Sequence, residues 1–125
     1  MRRTLTLTLS LAFVCGGAAA LHSPGGAAAA AADLDGKAIF SANCAACHQA
    51  NGQGTDLFPA LAGNKSVTAA DPSAVIATVE NGRNVMPSWK GRLSAAQIAA
   101  VLTYVRSAWG NAGAPVSEQD VEAVR

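Results

Sequence analysis

The stretch Cys44-Ala45-Ala46-Cys47-His48 decides the fold of this 125-residue chain. C-x-x-C-H is the attachment motif for a c-type haem, in which two thiols bond covalently to the vinyl groups of the macrocycle. Two intervening residues form a short turn that matches the separation of the vinyls, and the adjacent imidazole reaches the iron. The sequence therefore predicts one covalent haem c, with Cys44 and Cys47 holding the porphyrin and His48 binding the iron.

Two other chemistries also use closely spaced cysteines. A thioredoxin-like dithiol belongs in a βαβ context, and no strand pattern surrounds Cys44 and Cys47. A structural zinc site takes four ligands, of which this motif offers three. Both points favour the haem. A thiol-redox or zinc-binding protein stays as an alternative, and it would be colourless with two titratable thiols.

The first 32 residues have the pattern of an export signal followed by a linker. A positive start, an apolar run and a small-residue cleavage site follow one another: Met1-Arg2-Arg3, Thr4 to Val14 and Ala18-Ala19-Ala20. The apolar run is too short for a membrane span. We predict a signal peptide over residues 1–20, with an alternative cleavage as late as residue 32, and a Gly/Ala-rich linker over residues 21–32. The expected location is periplasmic, and an uncleaved N-terminal anchor is the alternative.

Removal of the signal limits the candidates for the second iron ligand. Met86 is then the only methionine, and His22 in the linker is the only histidine besides His48. Met86 precedes Pro87 in a helix-free loop, where the proline fixes the local backbone. Met86 is therefore the candidate distal ligand, against the alternative of simple core packing. With His48 and Met86 both bound to iron, no position is open for oxygen or peroxide, which favours electron transfer over catalysis.

The charge balance argues against a nucleic-acid or anionic membrane partner. From residue 33 onward there are seven Lys or Arg and eight Asp or Glu, a net charge of −1. Such a chain lacks the basic surface that nucleic acid or an anionic membrane would require. We expect its partners to be redox proteins that dock through local patches.

Apolar residues recur at helical spacing in three segments, and no segment alternates as a strand does. We expect helices over about 34–44, 72–81 and 94–109, and a short fourth helix over 117–124. Ser94 and Gln97 have the pattern of a capping box, and Asp71-Pro72 and Gly82 have that of a helix start and stop. The predicted fold is all-α, with three to four short helices and loops wrapped around one covalent haem. Because roughly 90 residues supply only a small core, we expect the haem-free chain to be largely unfolded.

The chain resembles the class I c-type cytochromes over residues 33–110, which are followed by a tail over residues 111–125. The positions that carry the resemblance run from the first helix to the last: Gly36 and Phe40, the C-x-x-C-H motif, Pro59 and Leu61, Met86-Pro87, and Val101 and Tyr104. The resemblance implies the cytochrome c fold. In that fold the first and last helices cross at the small Gly36, and Phe40 packs against Val101 and Tyr104.

The resemblance also implies roles within the haem site. The carbonyl of Pro59 would accept the N–H of the proximal imidazole and fix its tautomer; the alternative is that Pro59 only rigidifies its loop. Leu61 and Trp89 are expected to pack on the haem. Arg83 and Asn84 are candidates for bonding a propionate, against the alternative that they are simply solvated.

The segment from Tyr104 to Asn111, followed by Val116-Ser117 and Asp120-Val121, is similar to cytochrome subunits of bacterial periplasmic dehydrogenases. Trp109 is expected to anchor the end of the last helix. The predicted protein is an electron carrier and not an enzyme. It would take single electrons from a dehydrogenase or a quinol-oxidising complex and pass them to a terminal oxidase or peroxidase. A haem enzyme or gas sensor with an open distal site is the second alternative, and it would bind carbon monoxide rapidly.

Overall fold

The computed structural model describes residues 34–125, which form five helices joined by loops. They are α1 (Gly36–Asn43), α2 (Ala45–His48), α3 (Ser73–Asn81), α4 (Ala95–Ser107) and α5 (Glu118–Val124). This part of the chain contains two isolated bridges and no β-strand, so the all-α prediction is confirmed. None of the five helices has the length and apolar character needed to cross a membrane. The predicted signal peptide and linker lie outside the described residues.

The helix limits differ slightly from the sequence-based prediction. The side chain of Asp35 caps α1 by accepting the N–H of Ala38, so the helix begins at Gly36 rather than Leu34. Cys44 lies between α1 and the four-residue helix α2, a separate turn that the prediction did not include. Pro72 occupies the N-cap of α3 instead of its first turn, while the carboxylate of Asp71 accepts the N–H of Ser73 at 2.9 Å.

Two capping boxes fix the starts of the C-terminal helices. Ser94 and Gln97 exchange hydrogen bonds at the start of α4, as predicted. Ser117 and Asp120 do the same at the start of α5. Helix α4 ends at Ser107, earlier than expected, because the chain turns through Ala108.

Helices α1 and α4 cross at Gly36, as the resemblance implies. A Cβ at this position would overlap the carbonyl of Ala100, so only glycine allows the two backbones to approach this closely. One turn later, Phe40 is 1% exposed and packs in one cluster with Val101. Its ring centroid lies 5.6 Å from that of Tyr104. The predicted packing of Phe40 is therefore confirmed.

The C-terminal tail is part of the second core cluster. Val116 and Val121 are buried with Ile76 of α3 and with Ile98 and Leu102 of α4. Helix α5 consequently packs on both α3 and α4. The apolar residues of the tail therefore belong to the same core as the two helices that it covers.

The buried side chain of Arg106 ties the tail to the loop before α3. Its guanidinium is 1% exposed and donates to the carbonyls of Val67 at 2.6 Å, Ala69 at 2.9 Å and Ala114 at 2.8 Å. No carboxylate accompanies it in an ion pair between residues 34 and 125. Three carbonyl dipoles instead satisfy the buried cation.

Candidate haem site

The C-x-x-C-H motif forms the single turn of α2 and the residue before it. The N–H of Cys44 donates to the carbonyl of Phe40 at 2.8 Å, which continues the direction of α1. The N–H of His48 donates to the carbonyl of Cys44 at 3.0 Å and closes the turn. This turn brings both thiols and the imidazole to the wall of one cavity.

The cavity has a volume of about 720 Å³ and is lined by α1 to α4 and by the loops over residues 57–67 and 83–93. That volume is within the range of cofactor pockets, roughly 300–1,000 Å³. Its walls are mainly apolar side chains from residues 40–105, among them Phe40, Leu61, Val67, Val75, Val79, Trp89, Val101 and Val105. An apolar macrocycle is the kind of group that such walls suit.

His48 has a fixed orientation and a fixed tautomer. The residue is 8% exposed, and its Nδ1–H donates to the carbonyl oxygen of Pro59 at 3.0 Å. Because a carbonyl can only accept, the ring proton must lie on Nδ1, which leaves the lone pair of Nε2 free to bind a metal. Pro59 is thus placed in the position that the resemblance implies.

Met86 closes a four-residue turn and lines the same cavity. Its N–H donates to the carbonyl of Arg83 at 2.9 Å, and the N–H of Arg83 donates back at 3.0 Å. Asn84 adopts a φ of 53° inside this turn, a conformation that asparagine tolerates better than most residues. The structure therefore brings Met86 and His48 to one cavity, although 38 positions separate them in the sequence.

The remaining predicted residues are those expected to pack on the haem, to bond a propionate or to anchor the end of the last helix. Leu61 and Trp89 line the cavity and are partly buried. Arg83 and Asn84 also line it but are exposed, at its rim. Trp109 is not among the lining residues; it packs edge-on against Phe40 with ring centroids 5.1 Å apart, as an anchor of the α4 end would.

The thiol of Cys44 is unsuited to dithiol chemistry. Burial raises its pKa to about 11, and repulsion from a neighbouring Cys47 thiolate adds to the rise. A reactive or metal-binding cysteine needs its thiolate, which the surroundings of Cys44 disfavour. Among residues 34–125 no three His, Cys, Asp or Glu side chains are grouped as a metal site would require.

Sequence reasoning missed several contributors to the site. Leu57 and Val85 line the cavity and yet are 82% and 75% exposed, so they form an apolar rim at its mouth. Asn111 ties the Leu61 loop to α4, donating to the carbonyls of Leu61 at 3.0 Å and Val105 at 2.8 Å. The only sequence signal for this rim was the presence of Leu57 and Val85 as apolar residues within loops.

The residues present fit a covalent haem. Two thiols and an imidazole with a free Nε2 lone pair line one apolar cavity together with the thioether of Met86. A family model described as cytochrome c oxidase, cbb3-type, subunit III, matches residues 31–105. The chain belongs to the class I c-type cytochromes.

Individual relatives agree with the family match. Cytochrome c6 of Diacronema lutheri is 40% identical over 79 residues, which cover 61% of this cytochrome and 95% of the relative. The fructose dehydrogenase cytochrome subunit of Gluconobacter japonicus is 36% identical over 106 residues, covering 73% of this chain. The cytochrome spans only 22% of the length of that subunit, and 22% of the alcohol dehydrogenase (quinone) cytochrome c subunit of Gluconobacter oxydans.

A solved structure also resembles the cytochrome. It is cytochrome c6 from the diatom Phaeodactylum tricornutum, with 32% identity and a TM-score of 0.47, covering 73% of this chain and 95% of that one.

Family membership settles the cofactor. The cytochrome carries one covalent haem c, an electron-transfer group, and Cys44 and Cys47 supply its attachment motif. The thiol-redox and zinc alternatives are therefore wrong.

Proposed function

We propose that this cytochrome is a periplasmic carrier of single electrons, with His48 and Met86 as the two axial ligands of its haem iron. The observation that carries the proposal is the placement of both side chains on the walls of one cavity, with the Nε2 of His48 left as the free ring nitrogen. When bound, the haem supplies a one-electron couple between ferric and ferrous iron.

The protein residues tune and protect that couple. The hydrogen bond from His48 to Pro59 fixes the tautomer and the orientation of the imidazole, so that Nε2 is the ring nitrogen available to the iron. The thioether of Met86 is a soft ligand that favours the ferrous state and raises the reduction potential. The apolar walls exclude water from the macrocycle, which also favours the less charged reduced state.

The second axial ligand argues against substrate chemistry. A residue that fills the distal position leaves no site for oxygen, peroxide or a gas. Met86 lies in a turn closed by two hydrogen bonds, so its position does not depend on a bound substrate. The open-site enzyme or sensor has no comparable observation in its favour.

The relatives support a respiratory setting for the carrier. Two are cytochrome subunits of alcohol and fructose dehydrogenases, and another is subunit FixP of a cbb3-type cytochrome c oxidase. A periplasmic dehydrogenase or a quinol-oxidising complex would be the donor, and a terminal oxidase or peroxidase the acceptor. Electrons would pass through the mouth of the cavity, where Leu57 and Val85 offer an apolar rim for docking.

The test is an absorption spectrum of the exported protein, made in cells that attach c-type haem. The expected ferrous form has sharp α and β bands, and the ferric form has the weak long-wavelength band of a sulfur–iron bond. Neither form should change on adding carbon monoxide at neutral pH. A c-type spectrum that lacks the sulfur band and shifts with carbon monoxide would overturn the axial assignment and favour the open-site alternative.

A further inference from the structure

The distal loop, residues 82–93, carries Met86 and returns to the end of α3. There the N–H of Trp89 donates to the carbonyl of Val79, and the N–H of Lys90 to the carbonyl of Glu80, each at 3.1 Å. The hydroxyl of Ser88 also donates to the carbonyl of Glu80. The position of the distal loop therefore depends on the position of the last turn of α3.

The side chain of Glu80 joins that last turn to the C-terminal tail. Glu80 is 1% exposed, and its Oε1 accepts the Nε–H of Arg125 at 2.8 Å. Its Oε2 has no hydrogen-bond partner among residues 34–125. Arg125 is thus the single partner of a buried carboxylate in the described chain, and buried charges depend strongly on such partners.

Arg125 also holds the far end of the distal loop. A second nitrogen of its guanidinium donates to the carbonyl of Leu93 at 3.1 Å. Its own backbone oxygen accepts the Nζ–H of Lys90 at 2.9 Å. We call Glu80, Lys90, Leu93 and Arg125 the tail clamp. Arg125 therefore holds the second half of the distal loop at two residues, Lys90 and Leu93.

We infer that Glu80 and Arg125 are positioning residues that hold the distal loop so that the sulfur of Met86 stays on the iron. This inference rests on the proposed axial role of Met86. Without the guanidinium, the buried carboxylate has no partner and must move toward water. That movement draws the last turn of α3 with it and loosens the loop anchored there.

The consequence is a larger population of molecules in which the sulfur has left the iron. An added ligand such as imidazole binds only that open population, so its apparent affinity rises in proportion to it. The holoprotein with Arg125→Ala should bind imidazole about tenfold more tightly in the ferric state. It should also have a lower reduction potential and a weaker sulfur–iron band.

Three further variants separate positioning from general stability. Arg125→Lys keeps the charge but loses the two-pronged contact, so its effect should be intermediate. The double variant Glu80→Gln/Arg125→Ala has no buried carboxylate left without a partner, so it should bind imidazole less tightly than Arg125→Ala alone. Tyr104→Leu lowers stability at the α1–α4 crossing but touches neither the cavity nor the clamp, and should leave imidazole affinity unchanged.

Hydrogen exchange gives a readout independent of the iron. In Arg125→Ala the amides of Trp89 and Lys90 should exchange faster, while those of α1 keep their wild-type rates.

Equal imidazole affinity in Arg125→Ala and wild type, with the sulfur band present in both, would overturn the role of the clamp and leave the axial role of Met86 standing. If the wild-type protein itself lacks the sulfur–iron band, the proposed ligation by Met86 is wrong, and the inference about the clamp falls with it. In a Met86→Ala background, Arg125→Ala should change imidazole affinity no further; an additional gain there would also contradict the clamp.

Discussion

The guanidinium of Arg106 donates to the carbonyl of Val67 at 2.6 Å, inside the protein. Val67 lines the haem cavity, and Arg106 also holds Ala114 at the start of the tail. One side chain therefore links a wall of the cavity to the tail that packs on α4. The cavity depends on residues that do not touch the cofactor.

Replacing Arg106 should be among the most damaging single changes to the fold. Arg106→Met leaves three carbonyls without a donor, and we expect a loss of about 3 kcal/mol or more in the free energy of unfolding. Arg106→Lys keeps the charge but cannot reach three acceptors, so its loss should be smaller. Urea unfolding of the holoprotein measures the free energy of unfolding of both variants.

The exposed Arg92 is the matched control, and Arg92→Met should lower the free energy of unfolding by less than about 1 kcal/mol. Equal losses at the two positions would contradict this role.

Removing the distal sulfur should change the iron without unfolding the protein. Met86→Ala is expected to lose the sulfur–iron band, to bind carbon monoxide in the ferrous state, and to have a potential lower by on the order of 0.1 V. Met86→His is the control, since it should keep a six-coordinate iron while losing the sulfur band. Spectra and a redox titration check both variants. An unaltered ferric spectrum in Met86→Ala would remove Met86 as a ligand.

The crossing of α1 and α4 should not tolerate a methyl group. In Gly36→Ala the added Cβ overlaps the carbonyl of Ala100, so the helices must separate, at a cost of about 1–3 kcal/mol. Gly91→Ala serves for comparison: its Cβ meets nothing within 4 Å, and only its positive φ of 79° opposes the change, at about 1 kcal/mol. Thermal unfolding followed by circular dichroism should rank Gly36→Ala as the less stable of the two.

Helix α5 should lose stability in acid. The N–H and hydroxyl of Ser117 donate to Asp120 and hold the pKa of its carboxyl below the ordinary value of 3.8. A lowered pKa contributes stability above the unfolded value, and that contribution disappears as the pH falls through the folded value. The loss between pH 5 and about pH 3 should therefore be smaller in Asp120→Asn and in Ser117→Ala than in wild type. Parallel urea titrations at these pH values test the sign, and identical slopes would refute it.

Loss of the haem should abolish the native structure. The cavity of about 720 Å³ is lined by four of the five helices of a small protein, and its apolar walls need the macrocycle to pack on. The double variant Cys44→Ala/Cys47→Ala, which cannot attach haem, should show little helical circular dichroism and no cooperative transition. Native helical content in that variant would mean that the polypeptide folds unaided.

The features that could be predicted from the sequence were those with local signals. The C-x-x-C-H motif, the capping box at Ser94, and the Met86-Pro87 loop each occupy a few consecutive residues. Their chemistry or backbone preference is readable without knowing the fold. The all-α class followed from the same short-range periodicity.

The features that were missed depend on residues far apart in the chain. Arg106 and Val67 are 39 positions apart, and Arg125 and Glu80 are 45 apart. In sequence these arginines and the glutamate look like ordinary solvated charges. Only the folded chain shows that Arg106 and Glu80 are buried, because the packing of α5 and the tail covers them. Nothing local distinguishes them from the exposed Arg92.

The contact between Gly36 and Ala100 also sets an order of events during synthesis and export. Helix α1 and the C-x-x-C-H turn leave the ribosome long before α4, the surface on which α1 packs. Until then the early half of the chain has no partner, and its two thiols stay accessible to the enzymes that attach haem. Because the haem-free chain is expected not to fold, the crossing cannot close around a free Cys44 thiol, and α1 packs on α4 only when the macrocycle is in place. We therefore expect the thioether bonds to form on the unfolded, exported chain and the helix crossing to close afterwards.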